Sequence, residues 1–118
     1  MSDSPAQRSL AQGGPLWHDQ AMRRVDFVFC IGFEGSTAIV DGRLIRRHGG
    51  LSTRELAEHG LFKQAVCSAV FNGSAAELDE VLALYNQRIP TPVATVEDLK
   101  RTFGISGVPE GVKKVTVI

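Results

Sequence analysis

No two cysteines of this 118-residue chain stand at a C-x-x-C spacing, because Cys30 and Cys67 are the only pair and lie far apart. That spacing rules against a zinc ribbon and a thioredoxin-type redox site. Nor is there an excess of charge: thirteen basic residues balance thirteen acidic ones, so no global field favours nucleic acid, anionic lipid or a polyanionic substrate. No run approaches the ~20 apolar residues of a membrane helix, and the first residues lack an apolar signal segment. The expectation is a cytoplasmic protein with reduced thiols, one structural disulfide being the alternative, and no membrane partner. Histidine is scarce as well. His18, His48 and His59 form no HxH or HxxxH pair, so neither a metal nor a cofactor is expected.

What is present is ordinary for a globular chain, with 43% hydrophobic and 22% charged residues, too apolar for disorder. Residues 1–20, rich in Ser, Gln, Gly and Pro, read as a flexible N-terminal arm. Trp17, the only tryptophan, stands at its end, either folded back as an anchor or exposed. Residues 21–118 are expected to form a single α+β domain.

The run Arg24 to Gly73 is rich in local signals. Val25 to Phe33 reads as a strand, followed by Glu34-Gly35, a short strand Ser36–Val40, Asp41-Gly42, and a third strand Arg43–Arg47. Two X-Gly dipeptides between β-rich runs predict two tight hairpins and a three-stranded antiparallel meander. With two-residue turns, Val25, Phe27, Phe29, Ile31, Phe33, Ala38, Val40 and Ile45 share a face, which is expected to be the core face. The opposite face carries Val28, Cys30, Ile39 and Leu44 and is too apolar to be freely solvated, so the arm, a helix or another subunit is expected over part of it.

About four helices follow. Ser52-Thr53-Arg54-Glu55 is a capping box, Leu51 and Leu56 form a hydrophobic staple, and Gly60 is the stop. Leu61–Phe71 carries an apolar stripe, Ser74 and Glu77 form a second capping box for a helix ending near Ile89, and Thr95 with Asp98 opens Val96–Phe103. Val112–Ile118 is β-branched and reads as a C-terminal strand, to be paired with the meander's edge or with another subunit.

The segment 51–73 also resembles the helix-turn-helix of bacterial repressors, especially the lactose-repressor type. The matching positions are Glu55-Leu56-Ala57-Glu58, Gly60-Leu61, Gln64, Val66, Ser68 and Asn72, about a fifth of the chain. The resemblance implies a DNA-binding regulator in which Thr53, Arg54, Lys63, Gln64, Ser68 and Asn72 contact DNA, with Arg46 and Arg47 on phosphate. The turn is one residue shorter than the family's, a rotation of about 100° for the second helix. The competing reading is two amphipathic helices packed through Leu56, Leu61, Val66 and Val70.

Other patterns carry less. Gly32-Phe33-Glu34-Gly35-Ser36-Thr37 has no Lys before its Ser/Thr and lies between strands, so it reads as a hairpin, not a phosphate loop. Arg43, Arg46, Arg47 and His48 form the densest basic cluster, an anion contact or a charged edge strand. Cys30 and Cys67 read as buried fillers, and no catalytic residue is expected. The resulting expectation is an α+β two-layer sandwich and a non-catalytic, self-associating protein–protein interaction module, a homodimer with a further protein partner. DNA-binding regulation is the alternative.

Overall fold

The computed structural model describes residues 16–18 and 22–118. The arm expected at 1–20 lies outside these except for Leu16–His18, which forms strand β1. The class is α+β, as expected: among the described residues there are six helices and one four-stranded sheet. The chain divides into two compact units. One combines the described residues up to 49 with 109–118, and the other, 50–108, interrupts it in sequence.

In the first unit the predicted meander is corrected at both ends. Residues expected to open the first strand instead form helix α1 (Arg24–Val28). The cause is Asp26, fully buried, whose carboxylate accepts from the Arg23 backbone N–H at 3.0 Å and from the Arg23 side chain at 3.1 and 3.2 Å. An acid three residues past the helix start satisfies an orphan donor there. Only then does β2 (Cys30–Glu34) begin, turning into β3 (Thr37–Val40). The turn is Gly35-Ser36 and not Glu34-Gly35, because Glu34 pairs with Thr37 and Phe33 with Ala38. Gly35 takes φ 60° at the first turn position, where a II′ hairpin needs glycine.

The third expected strand is also a helix, α2 (Gly42–His48). Asp41-Gly42 is therefore no hairpin turn. Asp41 caps α2, its carboxylate accepting from Leu44 N–H at 3.1 Å. Gly42 is glycine for space: a Cβ there would lie 2.7 Å from the Ile118 carbonyl oxygen and 2.8 Å from Val117 Cγ1.

The sheet is mixed, in the order β1-β4-β3-β2, with β4 (Lys114–Val117) in its interior. β4 runs parallel to β3, Ala38 beside Val115 and Val40 beside Val117, and antiparallel to β1. The C-terminal strand thus pairs on both sides within the chain, closing the route to another subunit that its sequence left open. α1 packs against β3. The unit's core holds Met22, Phe27, Val28, Phe29, Ala38, Val40 and Val115.

The second unit follows its punctuation closely. Helices α3 (Thr53–Glu58), α4 (Phe62–Asn72) and α5 (Ala75–Arg88) pack on one another, and α6 (Val96–Thr102) packs on α5. Ser52, Ser74 and Thr95 each accept from the backbone N–H three residues on. Leu56, Ala65, Val66, Ala69, Val81 and Leu99 are fully buried, and Tyr85 takes Phe62 and Phe103 edge-on at 5.3 and 5.9 Å.

Gly42→Ala tests the close approach in the first unit. Alanine improves helix propensity by up to about 1 kcal/mol. The clash with a backbone carbonyl and a packed valine costs about 1–3 kcal/mol, so a lower urea midpoint is expected. A raised midpoint would show that β4 does not lie against Gly42.

Candidate protein-binding edge

β2 is an outer strand of the sheet, and among the described residues no strand pairs with its far side. Such an edge presents unpaired backbone donors and acceptors. Its side chains make it sticky as well. Ile31 is 55% exposed and Phe33 50%, the opposite of their expected place on the core face. At Ile31 there is a bulge: Cys30 pairs with Val40 and Gly32 with Ile39, which leaves Ile31 without an opposite residue, whereas Phe33 still pairs with the buried Ala38 and is exposed on this outer strand. A bulge re-aims side chains and adds twist, and an alternation rule cannot foresee it. Glu34 and Gly35 at the strand's end are exposed too. Cys30 is half-buried and donates its thiol hydrogen to the Gly32 carbonyl at 3.3 Å.

The residues assigned to DNA contact take several different positions. Thr53 and Ser68 are buried at 4% and 0% exposure, their hydroxyls 2.6 Å apart. Thr53 also donates to Glu77 Oε1 at 2.8 Å, and the same oxygen accepts from Asn72 Nδ2 at 3.0 Å. Glu77 therefore ties α3, α4 and α5 together instead of closing its own capping box. Nothing in the sequence singled it out beyond that cap, since its partners lie five and twenty-four positions away.

Arg54 holds Glu58 at 3.0 Å and Glu80 at 3.1 Å, and these two carboxylates keep its pKa raised. Lys63 is exposed and Gln64 half-buried. Arg46 and Arg47 are exposed on α2, in the other unit.

The remaining candidates resolve into local structure. Gly32–Thr37 is the β2–β3 hairpin, and Cys67 is buried in α4. Among the described residues no group of three His, Cys, Asp or Glu side chains gathers in a metal-binding arrangement, and no helix is long and apolar enough to cross a membrane. No protein-family model matches this chain, and neither a curated protein nor a solved structure matches it.

Two predictions follow from the second unit. Thr53→Val removes the bonds from the buried Thr53 hydroxyl to Ser68 and Glu77 and costs about 1–3 kcal/mol, whereas Ser68→Ala costs less when added to it than alone. Strictly additive losses in a chemical-denaturation cycle would show that the two hydroxyls act independently. The other concerns acid. Hydrogen bonds from Ser52 hold the Glu55 pKa below its ordinary value, and those from Arg101 and Thr95 do the same for Asp98. Folding then favours the ionised forms, so this stability is full above the ordinary carboxylate range and fades as pH falls through the lowered values. In melts from pH 6 to pH 2, Glu55→Gln with Asp98→Asn should flatten the acid loss; an unchanged slope would contradict it.

Proposed function

We propose that this protein is a non-catalytic interaction module that self-associates as a homodimer through the open edge of β2. The observation supporting this is one strand that is at once unpaired on its outer side and apolar in its exposed side chains. Elsewhere among the described residues the large apolar side chains shown exposed are Val108 and Ile118, neither on an open strand edge.

A second copy is the occupant such an edge suits. Antiparallel pairing about a two-fold axis makes a strand its own complement. Centred on Gly32, it sets Ile31 opposite the copy's Phe33, a β-branched–aromatic pair of a kind that stabilises sheets. The same register places the two Glu34 carboxylates at opposite ends. The bulge narrows the choice of partner, since an added strand must follow its extra twist, and an identical strand carries that twist. A helix-turn-helix function for 51–73 would have to work from Lys63 and Gln64, because Thr53 and Ser68 are buried and Arg54 and Asn72 engage carboxylates.

Sedimentation velocity over a wide concentration range tests the reading. Wild-type protein should move from monomer to dimer, while Ile31→Lys with Phe33→Lys should stay monomeric. Surface substitutions of this kind change stability within about 0.5 kcal/mol, so the melting temperature should hold. A wild-type monomer at every concentration, or a dimer that survives both lysines, would overturn it.

A further inference from the structure

The arginines among the described residues fall into two groups. Arg23 holds Asp26, Arg54 holds Glu58 and Glu80, Arg101 holds Asp98, and Arg88 donates to the carbonyls of Ala57 and Glu58. Arg24 is engaged as well. Arg43, Arg46 and Arg47 are all exposed, and among the described residues none has a hydrogen-bond or ion-pair partner.

These three stand at i, i+3 and i+4 of α2 and so share one face, where like charges destabilise a helix. Arg46 and Arg47 lie in the last turn, where a cation complements the helix dipole. Arg43 lies in the first turn, at the positive end, where it does not. The stability of α2 therefore gives no account of Arg43, nor of the clustering. Arg43 and Arg46 line a surface depression of about 370 Å³ with Asp41 and Ile118, and Arg47 is not among the lining residues. Asp41, the acid nearest the cluster in sequence, has one carboxylate oxygen occupied by the Leu44 N–H.

We propose that the Arg43–Arg46–Arg47 face of α2 binds the phosphodiester backbone of a nucleic acid without reading its sequence. Three features select that ligand. The cluster holds arginine and no lysine, and the guanidinium fork matches phosphate oxygens bidentately. Its members serve more than one spot, which suits a chain of repeated phosphates better than a single phosphate group. Three cations also fall short of the four to eight that mark anionic-membrane binding, and the apolar residues of α2, Leu44 and Ile45, are half-buried instead of poised for a bilayer. The inference is independent of dimerisation through β2.

The test is fluorescence anisotropy of labelled single-stranded DNA, of RNA of the same sequence and of duplex DNA, titrated with the full chain from low to physiological salt. Phosphatidylserine vesicles serve as the competing anionic surface. For single strands the slope of log affinity on log salt should be about −2, from about 0.7 per neutralised phosphate and three contacts. DNA and RNA strands should bind alike. R43Q/R46Q/R47Q should lose at least about tenfold in affinity and most of the salt slope, with an unchanged or higher melting temperature from relief of repulsion. K100Q/R101Q, which removes two cations of the other unit, should bind as wild type. The proposal is overturned by absent binding at low salt, by undiminished affinity in the triple variant, by loss in the K100Q/R101Q control, or by vesicles bound in place of nucleic acid.

Discussion

The first unit rests on the parallel pairing of β3 with β4. β4 is one of the sheet's two interior strands, and without it β1 has no neighbour and β2–β3 is an isolated hairpin. A lone hairpin is marginal in water. Residues 41–113 must be closed into a loop before Ala38 can lie beside Val115, and that entropy is offset only when the whole register forms. Gly42 and Asp41 serve the same junction. Gly42 donates to the Ile118 carbonyl at 3.0 Å and leaves the space Val117 fills, while Asp41 starts α2 at that point. The helices of the second unit, by contrast, are built from neighbours in sequence.

That difference decides what could be read from residues alone. Ser52, Ser74, Thr95, Gly60 and Gly73 mark helix ends through bonds within three or four positions, and the structure places α3 to α6 close to where they point. Val25–Val28 and Arg43–Arg47 read as strand, yet both lie in short helices. Propensity is a weak prior when a buried acid such as Asp26 or a cap such as Asp41 supplies the backbone's hydrogen bonds. The parallel, interior position of β4 left no local trace, because register between distant strands is set by packing and not by turn residues.

The candidate site was legible in part. An apolar surplus in the sheet pointed to a surface in need of a partner, but the residues that carry it are Ile31 and Phe33, which simple alternation assigns to the core. A bulge between Cys30 and Gly32 leaves Ile31 without an opposite residue, and Phe33, though paired with the buried Ala38, lies on an outer strand of the sheet. Thr53, Ser68 and Asn72 matched a DNA-binding pattern through their spacing on two helices. The structure joins these residues through Glu77, and a hydrogen-bond network of that span cannot be inferred from spacing. The arginine cluster on α2 was visible as charge, and its unpaired state emerged only beside the other described arginines, which have partners.

The most direct test of the open edge is amide hydrogen exchange measured at two protein concentrations. If copies add to one another along β2, the outward amides of Cys30–Glu34 exchange more slowly at the higher concentration, while those of β4, already paired on both sides, do not change. Exchange in β2 that is independent of concentration, or a slowing confined to other segments, would contradict this account.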